Sequence, residues 1–148
     1  MIRVIDIREI SPEMTLPIRR EVLRNNSIPI NSCQFEWDFH KESFHLGAFI
    51  GNKIIGIISM LNTAENHLDK RRLRGMAVVN SHQKMGIGSK LIDKAEELLM
   101  SKNVSFIWLK ARECAMDFYK KKGYEKVGNS FNIPEIGLHF KCEKKLQK

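Results

Sequence analysis

Two neighbouring stretches carry the residues best suited to hold a charged ligand: LRGMAVV at residues 73–79 and QKMGIGS at residues 83–89. The first reads as a buried strand, and the second as a turn that opens a helix. The first turn of a helix presents backbone N–H groups with no partner inside the helix. Gly86 and Gly88 would let a ligand come close to the main chain there, so the arrangement is a cradle for an anionic diphosphate. A dinucleotide fingerprint would need a third glycine three positions after Gly88, where Leu91 stands. A phosphate-binding P-loop would need Gly-Lys-Ser/Thr after a four-residue gap, whereas the order is Gly88, Ser89, Lys90 with Gly86 just two residues earlier. Neither pattern fits.

What is left is Q-x-x-G-x-G between a strand and an amphipathic helix. It resembles the loop with which the GNAT family of N-acetyltransferases holds the pyrophosphate of acetyl-coenzyme A. ARECAMDFYKKKGY at residues 111–124 resembles that family's second signature, an A-x-x-F-Y-x-K-x-G-Y/F helix, in the expected order and separation. REVLR at 20–24, Asp38, HLGAF at 45–49, WLKAR at 108–112 and IPEIGLH at 133–139 extend the likeness over nearly the whole chain. They are similar to small bacterial acetyltransferases grouped with the ElaA-like proteins. Asn25, Leu138 and Cys142 stand where those relatives usually carry Pro, Pro and Met, and these departures bear on loops near an acceptor pocket.

The resemblance implies acetyl-CoA as cosubstrate and no metal. It puts Gln83, Lys84, Met85, Gly86, Ile87, Gly88 and Ser89 at the pyrophosphate and the backbone of Met76, Ala77 and Val78 along the pantetheine arm. Ala111 and Arg112, at the end of the next strand, complete the cofactor set. In the family these two strands splay apart and the arm enters the gap. The implied activity is direct attack of an amine on the bound thioester through a tetrahedral intermediate, with Tyr119 as the analogue of the proton donor. A second reading keeps the same fold but leaves the catalytic groups idle, in a module that senses acyl-CoA and contacts an acidic partner.

Acetyl transfer to an amine requires an unprotonated nitrogen, donors for the oxyanion and stabilisation of the departing thiolate. Backbone N–H groups near Met76, Ala77 and Val78 are the oxyanion candidates, because a strand that splays or bulges leaves donors unpaired. A phenol of pKa ~10 facing a thiol of pKa ~8.5 is roughly 2 kcal/mol uphill for full proton transfer, so Tyr119 would act mainly as a hydrogen-bond donor. Glu36, Asp38, His45, Glu135 and His139 are the candidates for a base, with His139 foremost because it follows the turn at 134–137. Cys114 near a helix start suggests an acyl-carrying thiol. Helical spacing sets it about 140° from Tyr119, which argues against a shared cleft.

The positioning elements follow from periodicity. Residues 1–7 read as a first strand, and Ser11 and Pro12 as the start of a helix to about Arg24. Residues 45–50 and 53–60 form a hairpin across Gly51 and Asn52, with 62–70 a loop. The strand at 73–79 is apolar enough to suggest burial on both faces. A helix over 86–101 places Ile87, Leu91, Ile92, Ala95, Leu98 and Leu99 on one face. Then come a strand at 104–110, a turn at Ala111 and Arg112, a helix at 113–122 capped by Gly123, and strands at 123–127 and 137–143. The aromatics of 35–39 sit where an acceptor pocket could form, although core packing also accounts for Trp37. The order gives a single α/β domain over 1–148, with a mixed central β-sheet, a splayed strand pair and flanking helices.

With 148 residues, 43% hydrophobic and 28% charged, the chain suits one core, and no apolar run approaches the roughly 20 residues of a membrane span. Its net charge of +8 fits an anionic ligand but falls largely in lysine runs of the kind that coat surfaces. Those runs lack interleaved aromatic platforms, which disfavours nucleic acid. Three cysteines without metal-ligand spacing indicate reduced thiols and a cytoplasmic setting. The acceptor expected is a small-molecule or peptide amine, and a homodimer is compatible with these residues.

Overall fold

Among the described residues the central sheet has eight strands, and its middle is pulled apart. A computed structural model describes residues 4–63 and 69–146. In chain order the strands are β1 (Asp6–Ile10), β2 (Phe44–Ile50), β3 (Lys53–Leu61), β4 (Lys70–Val78), β5 (Phe106–Arg112), β6 (Glu125–Lys126), β7 (Phe131–Ile133) and β8 (Gly137–Lys145). They lie side by side as β1-β2-β3-β4-β5-β8-β6, with β7 paired to β8. The helices are α1 (Pro12–Ile18), α2 (Ile87–Ser101) and α3 (Met116–Lys121).

The predicted hairpin is present: Ile50 pairs with Lys53, and Gly51 takes the turn at φ 60. The α2 face built from Ile87, Leu91, Ile92, Ala95 and Leu99 is fully buried, in one core cluster with Leu46, Ile58 and Met60 of β2 and β3 and Ile107 of β5. Each buried leucine or isoleucine of this face contributes about 1.5–3 kcal/mol, which fixes α2 on the sheet.

Several boundaries differ from the expectation. Residues 1–3 of the predicted first strand lie outside the described residues. The strand itself runs Asp6–Ile10, where an antiparallel ladder pairs Asp6 with Phe49 through to Ile10 with His45. Of the predicted loop at 62–70, residues 64–68 are likewise outside, and Lys70 already belongs to β4. The basic residues Lys70, Arg71 and Arg72 are strand residues because β5 supplies them with a parallel ladder. Ala111 and Arg112 do not form a turn; both remain in β5, paired with Phe140 and His139. Glu113–Ala115 is a single 3-10 turn ahead of α3. The first helix stays α-helical to Ile18 and then widens into a π-helical turn at Arg19–Leu23, just after Pro17, whose missing N–H weakens the regular bonding.

The split has a clear origin. β4 and β5 pair only through Lys70–Phe106, Arg71–Ile107 and Arg72–Trp108. Beyond that point β5 keeps its full ladder to β8, from Phe106–Lys145 to Arg112–His139, while β4 stays with β3. The β3–β4 register slips by one residue between Ile57–Ala77 and Ser59–Arg74, and Gly75 in that interval has φ 67. This is a glycine bulge, which bends and twists β4 away from β5. Expected burial of 73–79 on both faces therefore fails: Leu73 and Ala77 are buried, Val79 is half-buried against the core, and Gly75, Met76 and Val78 border the opening.

Candidate functional site

Two cavities flank the split. The larger, about 720 Å³, lies between the end of β4, the start of α2 and α3. Met76, Ala77, Val78, Gln83, Lys84, Gly86, Ile87, Gly88 and Ser89 all line it, as the cradle reading required. Met85 does not; it is 59% exposed. Gly86 is the left-handed N-cap of α2 at φ 79, no side chain caps the helix, and its first internal bond runs from Lys90 N–H to Gly86 O at 3.1 Å. The N–H groups of Ile87, Gly88 and Ser89 therefore have no acceptor within the helix and give the cavity three donors and the positive end of the helix dipole.

Side chains fix that loop in place. Gln83 Nε2 donates to Val78 O at 2.9 Å and to Asn80 Oδ1 at 3.0 Å, so Gln83 braces the loop against the end of β4. Lys122 Nζ donates to Ser89 Oγ at 2.8 Å and to Asp93 at 2.6 Å, tying the end of α3 to the start of α2. A Cβ at Gly88 would sit in ordinary contact with Met76 and Phe118, 3.5 Å from each.

The edge of β4 that faces the split is open. Val79 N–H donates to Ile55 O at 2.9 Å, which turns it toward β3. The alternation of a strand then directs the N–H of Val78, one residue back, to the side that β5 has vacated.

The smaller cavity, about 330 Å³, occupies the other side of the split. It shares Met76, Cys114, Ala115 and Tyr119 with the larger one, so the two meet at these residues. Tyr119 is 8% exposed and packs edge-on against Phe118 and Tyr124. Burial, with a smaller contribution from Cys142, pushes its phenol up to about 12. Cys114 reaches both cavities together with Tyr119, against the expectation from helical spacing. It belongs to the 3-10 turn before α3, so the 100° step of a continuous α-helix does not relate the two residues.

His139 is buried and lines the smaller cavity. Its Nδ1 lies 2.9 Å from Gly137 O, and its ring stacks on Phe131 at 5.9 Å between centroids. A carbonyl only accepts, so Nδ1 carries the proton and Nε2 is the nitrogen with a free lone pair. Ala111 and Arg112, expected beside the cofactor, line this smaller cavity instead, because β5 carries them past the split toward β8.

The other candidates for a base fall away from both cavities. Glu36 and Glu135 are exposed and line neither. Asp38 is 2% exposed and grips Arg19, with Arg19 Nη1 to Asp38 Oδ2 at 2.7 Å and Nη2 to Oδ1 at 2.9 Å. Arg19 Nη2 also reaches Ser59 Oγ at 2.9 Å, and that hydroxyl lies 2.6 Å from His45 Nδ1. His45 Nε2 donates to Asp38 O at 3.0 Å, which closes a ring of hydrogen bonds in the core. Burial lowers the His45 pKa below its ordinary 6.5, outweighing the Asp38 carbonyl and carboxylate that would raise it. The imidazole there is neutral and structural, even though its Nε2 lies 3.9 Å from the Asp38 carboxylate.

Sequence reasoning missed most of the smaller cavity's wall. Of the aromatics at 35–39, only Phe35 lines it. The ring is held between two guanidinium groups, Arg19 at 3.7 Å and Arg74 at 3.9 Å from its centroid. Arg24, Arg72, Arg74 and Lys110 also face the cavity. Their signal was present in the alternation of Arg72 with Arg74 on β4 and of Lys110 with Arg112 on β5, opposite the buried Leu73, Leu109 and Ala111. A third cavity of about 470 Å³, bordered by Glu96, Met100 and Gly123, shares no residue with these two.

Comparison with known proteins agrees with this geometry. The model of the Acetyltransferase (GNAT) family matches residues 7–124. The uncharacterized N-acetyltransferase YitI of Bacillus subtilis is 34% identical over 147 residues, covering 97% of this chain and 98% of that protein. ElaA of Escherichia coli superposes with a TM-score of 0.77 at 14% identity, covering 95% of this chain and 99% of ElaA. An aminoglycoside 6'-N-acetyltransferase solved in complex with coenzyme A superposes with a TM-score of 0.78 at 17% identity, covering 97% and 98%.

Proposed function

Because the chain belongs to the GNAT family of acetyltransferases, whose acetyl donor is acetyl-CoA, we propose that it carries the acetyl group from the larger cavity to an amine in the smaller one. The single observation that carries this reading is the meeting of the two cavities at Met76, Cys114, Ala115 and Tyr119. Only there can a thioester held on one side face a nucleophile held on the other.

The residues divide the work. The free N–H groups at the start of α2 take the pyrophosphate, and the open edge of β4 at Met76, Ala77 and Val78 pairs with the pantetheine arm as a short strand would. The amine lone pair attacks the thioester carbonyl carbon, and the oxyanion of the tetrahedral intermediate accepts a hydrogen bond from an N–H of that same edge. The C–S bond then breaks and sulfur leaves as thiolate. With the Tyr119 phenol at about 12, full proton transfer to a thiolate of pKa ~8.5 is roughly 5 kcal/mol uphill, so Tyr119 stabilises the leaving sulfur by donating a hydrogen bond. Presenting a neutral amine of pKa near 10 at pH 7 costs about 4 kcal/mol, and His139 Nε2 is positioned to take the proton directly or through water.

The three thiols are unpaired, Cys33 and Cys142 buried and Cys114 exposed, which suits a reducing cytoplasm. Among the described residues, no helix is long and apolar enough to cross a membrane.

Titration calorimetry with acetyl-CoA and with free CoA tests the reading. Gly88→Glu is the control, since it places a carboxylate on the cavity floor at a helical position without a positive φ. Binding by the wild type and at least about tenfold weaker binding by the variant are expected. No binding to folded wild-type protein would sink the proposal.

A further inference from the structure

The smaller cavity is cationic on nearly every side. Arg24, Arg72, Arg74, Lys110 and Arg112 line it beside the His139 imidazole, and among the described residues no carboxylate does. The charges come from three directions: Arg24 from the end of the first helix, Arg72 and Arg74 from β4, and Lys110 and Arg112 from β5. Arg24, Lys110 and Arg112 are exposed at its rim, whereas Arg72 and Arg74 are half-buried. Arg74 is half-buried, stacked at 3.9 Å on Phe35, and makes no hydrogen bond or ion pair to another described residue. Stacking covers the face of a guanidinium and leaves its in-plane N–H groups to a planar acid. Burial of Arg74, with Arg72, Arg19 and Arg24 close by and Asp38 offsetting them in part, lowers its pKa to about 10. Beneath it, Arg19 Nε is buried with no hydrogen-bond partner among the described residues, while Asp38 and Ser59 hold the Nη groups.

These cations do not answer the phosphates of the acetyl donor. Under the reading above, on which this inference rests, those phosphates lie at the start of α2, and the uncharged arm separates them from Tyr119. We propose that the smaller cavity takes a small primary amine that carries its own acid group, a carboxylate or a phosphate, with Arg74 and Arg112 as its principal partners. A polycationic amine is repelled by the same wall. The arrangement also helps the chemistry: the acid group brings the molecule in, while the surrounding positive charge disfavours the ammonium form of its amine and so promotes the nucleophile.

The test compares matched probes that differ only in the acid: alanine with alaninamide, glutamate with glutamine amide, and phosphoethanolamine with ethanolamine, plus spermidine. Release of CoA thiol and the mass of the acetylated amine are followed at low and high salt. The acid-bearing member of a pair should be preferred by about tenfold or more in kcat/KM, and the amino acid and phosphoethanolamine arms tell carboxylate from phosphate. Arg112→Gln, at an exposed position, and Arg74→Gln should each reduce that preference, chiefly through KM, with free-CoA affinity intact. Equal or better turnover of alaninamide, ethanolamine or spermidine would overturn the inference, as would a preference that survives both variants. If CoA binds but no probe is acetylated, titration of the same probes into the CoA complex must show the same order, and its absence is equally decisive against. A failure of CoA to bind at all instead refutes the acetyltransferase reading. The probes titrated into the protein alone must then still bind in the predicted order for the anionic pocket to stand.

Discussion

Phe35 fills the space that a side chain on Gly75 would need: a Cβ there would lie 2.6 Å from Phe35 Cε2 and 3.4 Å from Arg19 Nε. The bulge that opens the sheet and the aromatic wall of the smaller cavity are therefore one construction. Gly75→Ala must distort a backbone at φ 67 and displace a ring clamped between two arginines. A loss of about 2 kcal/mol or more in urea unfolding is expected, with a raised KM for the acceptor. An unchanged midpoint would mean that Phe35 is free to move.

Tyr119→Phe keeps the packing against Phe118 and Tyr124 and removes only the hydroxyl. The acetylation rate should fall by about 10²-fold with acetyl-CoA affinity nearly constant, read from kcat and from titration. Because the phenol stays protonated up to about pH 12, the wild-type rate should show no alkaline loss attributable to Tyr119 below pH 11.

The same shift acts on stability. A folded-state pKa raised above the unfolded value of 10 gives stabilisation that is fully present below pH 10 and lost as the pH climbs toward 12. Tyr124, raised by burial and by its bond to Glu96 at 2.9 Å, acts in the same direction. Thermal stability should therefore fall between pH 10 and 12, and that of Tyr119→Phe should fall less steeply than that of the wild type over that interval.

His45 behaves oppositely. Its pKa is lowered below 6.5, so the unfolded chain binds a proton that the folded core refuses. The contribution is present above pH 6.5 and lost as the pH falls below it. His45→Gln should flatten the decline of unfolding free energy between pH 7 and 5, whatever its effect at pH 7.

Asp38→Asn leaves Arg19 buried without its counter-charge, and a cost of about 3–5 kcal/mol in chemical denaturation is expected. Replacing both, Arg19→Met with Asp38→Leu, should recover much of it. If the single change cost less than the double, the pair would not be the support of the Phe35 wall that its geometry implies.

The cradle was legible in sequence because it depends on local rules: two glycines, a helix start and a strand before it lie within a few residues of one another. The hairpin at Gly51 and the apolar face of α2 were legible for the same reason. The split between β4 and β5 is not local. It depends on β5 pairing with β8, some 30 residues on, and on the register slip at Gly75, so the family resemblance supplied it where periodicity could not. The smaller cavity was the least legible part. Its arginines sit on alternate positions of two strands, a pattern that resembles an ordinary solvated face until the fold turns both toward one space. Asp38 and His45 passed as candidate bases because residue type alone does not reveal that Arg19 and Ser59 hold them.

An open sheet of paired strands ordinarily ends in two edges. By parting β4 from β5, this chain creates two more in its interior, lined with backbone groups that seek a ladder. Such edges invite pairing with another chain. In the proposed complex the pantetheine arm occupies the β4 edge, so the ligand doubles as a guard against self-association. The protein should be most prone to aggregate when its donor is depleted, and light scattering during mild heating should fall when acetyl-CoA or CoA is added.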